Sequence, residues 1–497
     1  MPNHNIANAA LRGKAATAGE AASLIRSGMT VAMGGYTACG YPKLIASELA
    51  ARKRGGEDLK ISLITGSQLG QDVYEELGQA GVLERYSPLL GSKTMTRLAN
   101  SGGFHYVELP MNRLPRLLRS GAFGRLNVAV VEAAGITREG HLIPSNSLGL
   151  VPNYLEAAEA VIVELNQALP KALDGLHDSY LPLPPPHTRP IPLVNVKQRI
   201  GAPYVAVDPD KIKYIVASER PDFILEEEKK TDATAITDNL MNVLELESRK
   251  NWANSLRPLQ TGFGNLTNAI LAALKTSPFR DLEFFCGGVV DAHLELLLAG
   301  KARAISTGSL QMGPLARKTL ETDPALCREH LVIRNAEQTN HAETIGRLGL
   351  IALNSGIEVD IYGNVNASHV MGSKVVNGIG GGANFAQNSL LSVVIIPSIA
   401  KGGDVSSIVP LAPHNDISEH DVDVIVTENG VADLRGKDEM ERALAVINNC
   451  AHESYRDALL DYLHTAAREY GGHHPMSLGR ALSWHQRLYE TGSMRPA

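Results

Sequence analysis

Short apolar runs rich in β-branched residues recur along this chain, and each ends in a glycine or polar turn that leads into a helical stretch. Thr30–Met33 runs into Gly34-Gly35 and Leu59–Thr65 into Gly66-Ser67; Asn127–Val131 and Ala160–Glu164 are of the same kind. Strands apolar on both faces belong in parallel sheets covered by helices, and alternating helices supply the crossovers. The first helix is expected over Thr17–Ser27, where Ala21, Ala22, Leu24 and Ile25 fall near helical spacing, and the next is opened by Pro42 and runs through Ala51. The second half repeats the order. A helix at Leu266–Lys275, a strand at Leu282–Phe285, a helix from Asp291 to Ala299 and a strand at Ala304–Ser306 are followed by strands at Val359–Tyr362, Val393–Ile396 and Val422–Thr427. From Lys437 to Tyr470 the chain reads as mostly helical. The expected fold class is α/β, with two domains, each a mainly parallel sheet flanked by helices.

At 497 residues the chain is too long for one ordinary core. The Pro-rich stretch Leu181–Pro192 reads as a loop, and the charged segment Ile224–Lys250 as a solvated helix. The domain boundary is placed just before that helix, giving residues 1–222 and 223–497. A net charge of −6 argues against nucleic acid as a partner. Cys39, Cys286, Cys327 and Cys450 form no CxxC pair, so neither a zinc site nor a disulfide framework is expected, and no metal. A reducing cytoplasm is the simplest compartment. The first residues carry no apolar signal core, and no run of about 18 apolar residues occurs, so no membrane association is expected.

The least generic stretch is Tyr362–Asn388. Its centre, Asn377-Gly378-Ile379-Gly380-Gly381-Gly382-Ala383-Asn384, places four glycines in five positions. Such a loop admits φ > 0 and lets its N–H groups approach an anion: a phosphate, a carboxylate or a developing oxyanion. A plain turn between strand and helix would look the same. The loop has neither the spacing of a dinucleotide fingerprint nor the Gly-Lys-Ser/Thr ending of a phosphate-binding loop.

Further on stand Pro397-Ser398-Ile399-Ala400-Lys401-Gly402-Gly403-Asp404-Val405-Ser406-Ser407-Ile408-Val409-Pro410 and Val426-Thr427-Glu428-Asn429-Gly430-Val431-Ala432-Asp433-Leu434-Arg435-Gly436. With the glycine loop, these segments resemble the acetyl-CoA hydrolase/transferase family, and within it the succinyl-CoA:acetate CoA-transferases, over nearly the whole chain. The resemblance implies two NagB/RpiA/CoA-transferase-like domains with the active site between them, a homodimer, and coenzyme A, carried as a substrate thioester, together with a small carboxylic acid.

In that family a glutamate ends a strand and carries CoA as a thioester, in a segment reading aromatic, small, Glu, two apolar, Gln, Asp, Gly. Here the matching segment is Phe285-Cys286-Gly287-Gly288-Val289-Val290-Asp291-Ala292, and Gly287 stands where the glutamate would be. Glycine has no side chain to accept CoA. Other positions match. Asn340, in Glu337-Gln338-Thr339-Asn340, matches the asparagine near the reacting carboxyl, and Gly381 the glycine whose N–H serves an oxyanion, with Gly380 and Gly382 beside it. Gly262, Gly264 and Asn268 match a glycine-rich turn facing the site. Gly34–Lys43, with Gly40, resembles the N-terminal GxTGxGYPK segment, and Ser145–Gly149 resembles a further pocket segment. Lys374 and Lys401 are candidates for the CoA phosphates, each set against a surface ion pair.

Substitutes for the glutamate are few. Glu283 shares a strand face with position 287 but sits about 13 Å away at the rise of an extended strand. Cys286 could take an acyl group as a thioester, against the simpler reading of a small buried thiol. Asp291 reads as a first-turn residue, His293 as a satisfied or surface histidine, and His369 as structural. Three functions stay open: CoA transfer or thioester hydrolysis without the covalent glutamate, an acyltransferase using Cys286, or a non-catalytic CoA-binding protein.

Overall fold

The computed structural model describes residues 6–224, 233–250 and 255–495. The chain divides into two compact units, Met1–Glu226 with Glu283–Leu348, and Glu227–Leu282 with Gly349–Ala497. The dividing lines therefore fall near residue 226, where a boundary is drawn at 222 from sequence, and also at 283 and 348.

The first unit carries a sheet in the order His105–Tyr106, Leu83–Ser87, Ile61–Thr65, Thr30–Met33, Val128–Ile136, Ala160–Asn166, Ile212–Ser218. Every pairing along that path is parallel, and among the described residues Leu142–Pro144 adds to it antiparallel, against Val128–Ile136. Met33 lies opposite Thr65, so the turns at Gly34-Gly35 and Gly66-Ser67 leave the sheet side by side at its carboxyl edge, where α/β folds place their ligands. The same unit holds Leu282–Cys286, Ala302–Thr307, Leu331–Arg334 and His177–Asp178 as successive neighbours. The expected α/β class with parallel sheets is borne out.

Two helix boundaries differ from the sequence expectation, each for a reason outside the helix. The first helix is only Ala18–Ala22, capped by Thr17 and Glu20 in a reciprocal box. It stops because the Arg52 guanidinium takes the carbonyls of Ala22 (2.5 Å) and Ile25 (3.0 Å), which a longer helix would have used. The second begins at Leu44 rather than Pro42 and runs to Arg54. Its start is set by the buried Glu164 carboxylate, which accepts the N–H groups of Lys43 (2.8 Å), Leu44 (3.0 Å) and Ile45 (2.7 Å), a negative charge on the positive helix end.

Lys43 is wholly buried, with its ammonium 2.6 Å from Glu132 and 2.8 Å from Asp222. Burial pushes the Glu132 carboxyl above the usual range against the pull of Lys43. Removing one member of a buried ion cluster leaves the others uncompensated. Lys43→Met is accordingly expected to cost about 3 kcal/mol of stability, read as a lowered urea midpoint at unchanged slope.

In the second unit the strand order is Gly430–Asp433, Val424–Thr427, Leu391–Ile395, Ile351–Asn354, Leu259–Thr261. The pairings are parallel except the hairpin Val424–Thr427 with Gly430–Asp433. The helix expected over Ile224–Lys250 is present as Thr234–Lys250; residues 225–232 lie outside the described residues. Helices Glu439–Cys450 and Glu453–Glu469 pack Val446, Ile447, Leu459 and Leu463 onto Val359, Ile408 and Ile425. Leu181–Pro192 forms neither helix nor strand. Among the described residues no helix is long and apolar enough to cross a membrane.

Candidate active site

Gly287 follows directly on the strand Leu282–Cys286. Its backbone is not left-handed, and a Cβ added there would meet only Tyr36, at 3.7 Å from Cε1 and 3.7 Å from Oη. That is ordinary van der Waals contact, so the position has room for a side chain and simply lacks one.

The wall facing Gly287 is the ring of Tyr36, just past the strand Thr30–Met33. The ring fills a slot from which glycines withhold side chains. A Cβ on Gly308 would come within 2.8 Å of the ring, and one on Gly149 within 2.7 Å of Tyr36 Cβ. The loop behind it is strained: Thr37 (φ 51°) and Ala38 (φ 59°) are both left-handed without being glycine. Each such residue costs about 1–2 kcal/mol, so the loop must be held from outside. Tyr36 and Cys39 exchange backbone bonds of 3.0 and 3.1 Å, Ala38 N–H donates to Gln68 O (2.9 Å), and the Thr37 hydroxyl meets that of Ser309. Strain held in this way is found where the chain positions functional groups.

The Tyr36 hydroxyl donates to Asn340 Oδ1 at 3.1 Å, and the Thr339 hydroxyl donates to the same oxygen at 2.9 Å. Asn340 is 1% exposed, and its Nδ2 has no hydrogen-bond partner among the described residues. A buried amide N–H left without an acceptor costs about 1–3 kcal/mol, so this NH2 group is a donor available to an incoming oxygen. The rest of its motif is anchored. Glu337 accepts a fork from Arg119 (2.5 and 2.9 Å) and Asn153 Nδ2 (2.8 Å). Gln338 Nε2 donates to Asp178 O (2.9 Å) and Asn335 Oδ1 (2.6 Å), beside the buried Arg334–Asp178 pair.

Gly40 (φ 60°) could not be another residue, because a Cβ there would overlap Ser145 Oγ at 2.1 Å. Its N–H and Asn146 Nδ2 both donate to Asp222 Oδ2 at 2.9 Å, which joins the two pocket segments expected from sequence. Cys286 is wholly buried. Glu283 is tied up at the surface by Arg303 Nε at 3.1 Å. Asp291 does sit in the first turn of Asp291–Leu298, but its carboxylate caps the neighbouring helix Pro314–Thr322, accepting from Leu315 (2.9 Å) and Ala316 (3.0 Å). His293 is 1% exposed and its Nδ1 accepts the Val290 N–H.

Two buried histidines carry a pH signature. Burial pushes His177, whose Nε2 donates to Ser145 O at 2.7 Å, from 6.5 down to about 4, and His293 down to about 3. Below pH 6.5 the unfolded chain therefore binds protons that the folded chain refuses, so stability is full above 6.5 and falls as the solution is acidified. The loss is about 1.5 kcal/mol per histidine between pH 6.5 and 5. Calorimetry across that interval checks it, and His293→Phe should flatten part of the slope.

The remaining sequence candidates lie in the second unit. Gly262 follows the strand Leu259–Thr261, and Gly264 (φ 103°) caps Asn265–Thr276, with Asn268 in its first turn. Gly380 (φ 58°) leads to Gly381, the cap of Gly382–Asn388, and a Cβ on Gly382 would lie 3.4 Å from Asn354 Oδ1. Lys374, in the hairpin with His369–Val370, and Lys401 are exposed. His369 stacks on His414 with ring centres 3.8 Å apart and is bonded through Nδ1 to Ser368 Oγ at 2.7 Å. The residues that sequence reasoning missed are Tyr36, Thr339 and the anchors Arg119 and Glu337. Tyr36 occupies an unspecified position of its motif, and only the fold pairs it with a residue 304 positions away.

Comparison with known proteins matches residues 5–217 to the acetyl-CoA hydrolase/transferase N-terminal domain and residues 325–463 to the C-terminal domain of the same family. A succinyl-CoA:acetate CoA-transferase of Clostridium kluyveri is 41% identical over 99% of this chain and 92% of its own length. An acetyl-CoA hydrolase of Schizosaccharomyces pombe is 34% identical over 95% of this chain and 94% of its own. Among solved structures, a 4-hydroxybutyrate CoA-transferase of Porphyromonas gingivalis superposes with a TM-score of 0.64 at 21% identity, covering 92% of this chain and 98% of the other. That likeness is one of fold.

Proposed function

Because this chain belongs to the acetyl-CoA hydrolase/transferase family, we propose that it acts on an acyl-CoA and a small carboxylic acid by direct attack, with no glutamyl-CoA intermediate. The observation that carries this is the unpartnered Asn340 Nδ2 in a site whose Gly287 offers room and no nucleophile.

In this reading the acceptor acid takes the place of the missing side chain. Its carboxylate oxygen attacks the thioester carbonyl, the C–S bond breaks, and CoA leaves as thiolate from a mixed anhydride of the two acids. The thiolate then attacks the acceptor carbonyl of that anhydride, releasing the donor acid and leaving the acceptor as its CoA ester. Asn340 Nδ2 donates to the carboxylate or to the carbonyl oxygen as it gains charge, and Gly381 N–H keeps the oxyanion role that the family gives it. Water in place of the acceptor makes the same site a hydrolase. Gly262, Gly264, Asn268, Gly380, Gly382 and Gly40 are assigned to substrate and CoA binding, and Lys374 and Lys401 to the CoA phosphates. A cytoplasmic homodimer, with residues 1–222 and 223–497 as related halves and no requirement for a metal, completes the proposal.

An exchange assay tests it: one acyl-CoA, a panel of small acids, and chromatography of the CoA esters formed. New CoA ester or released CoA supports the reading. CoA binding without either product would instead mean a protein that only binds CoA.

A further inference from the structure

Among the described residues Asn340 has two hydroxyls on its oxygen and no partner on its nitrogen, and that asymmetry decides what it can offer a substrate. An amide can rotate by half a turn, exchanging donor for acceptor at almost no cost in shape. What holds this one is the pair of O–H donors. Thr339 is its chain neighbour, but Tyr36 comes from a segment 304 positions away, and its ring is fixed in a slot made by Gly149 and Gly308. The phenol is buried, and burial pushes its ionisation well upward, so it stays protonated and remains a donor.

We propose that Tyr36 is a positioning residue: its hydroxyl locks the Asn340 amide with the NH2 group free for the incoming carboxylate or carbonyl. This rests on the direct-attack reading and adds to it the group that keeps the donor aimed. Without the phenol hydroxyl the amide turns more freely, and a carboxylate entering beside Gly287 would meet the amide oxygen part of the time. That orientation repels the substrate's charge. The family resemblance marks Asn340 but leaves position 36 unspecified, so this role is read from the geometry alone.

The test is a double-mutant cycle in the full chain: wild type, Tyr36→Phe, Asn340→Ala and the double variant, each with kcat and KM for acyl-CoA. Phenylalanine keeps the ring in its slot, so folding is preserved. Tyr36→Phe should lower kcat about tenfold, the value of one aimed hydrogen bond, with KM little changed. In the Asn340→Ala background it should have no further effect, since the residue it acts through is gone. Additive losses, or an unchanged kcat in Tyr36→Phe, would overturn the proposal, because a merely structural tyrosine weakens both backgrounds alike.

If the wild type neither exchanges nor hydrolyses, the functional reading fails, and the positioning role is decided separately. Asparagine-labelled protein should then show one sharp set of Asn340 side-chain amide signals that shifts or broadens in Tyr36→Phe as the amide samples both orientations. Identical amide spectra in the two proteins would refute the lock.

Discussion

Replacing Gly287 by glutamate is expected to put CoA onto the chain. The variant, incubated with acyl-CoA and no acceptor, should gain the mass of CoA less water, and borohydride should remove the adduct by reducing the thioester. The backbone at 287 is compatible with any residue, and the Cβ sits at 3.7 Å from Tyr36, in normal contact. Substituting a glycine at a compatible position also narrows the unfolded ensemble, worth about 0.4–1 kcal/mol. The new carboxylate would be costly to bury alone, but Asn340 Nδ2 lacks an acceptor, and a charged acceptor makes a stronger bond than a neutral one. A glutamate installed here would therefore find a donor for its carboxylate. Failure to accumulate adduct in a folded variant would mean that the vacancy is not aligned with the thioester carbonyl.

The second large effect is expected at Asn340. Asn340→Asp keeps the shape and lets the Tyr36 and Thr339 hydroxyls go on donating to one oxygen, but it replaces the unpartnered NH2 by a second oxygen carrying charge. A carboxylate arriving beside it would then be repelled. Loss of one oxyanion donor costs about 10²–10³ in kcat, and reversal of its sign should reach at least the upper end of that range. Thermal midpoints measured alongside separate this from misfolding, since both anchoring bonds survive. A fall of less than tenfold would show that Asn340 does not face the reacting carbonyl.

What the sequence disclosed and what it hid follow from the range of each interaction. The parallel sheets were legible because strands such as Val128–Ile136 are apolar on both faces, a local signal. Gly287 and Asn340 could be singled out because each stands in a short ordered motif. Helix starts were less visible. Pro42 looked like an opening residue, yet Glu164, from a strand more than a hundred positions later, sets the first turn at Leu44. Asp291 reads as serving its own helix, but its carboxylate holds the N–H groups of Leu315 and Ala316. Tyr36 is the clearest case. Its pairing with Asn340 depends on the space left by Gly149, Gly287 and Gly308 and on an amide from a distant segment, so no spacing rule could name it.

The most direct measurement is intact-protein mass spectrometry of the wild type during turnover, with samples taken before and after borohydride. Exchange of CoA between acids, or release of CoA, on a chain whose mass never changes is the predicted result. A chain that carries CoA during turnover, or an acyl group that disappears in Cys286→Ala, would contradict direct attack at Gly287.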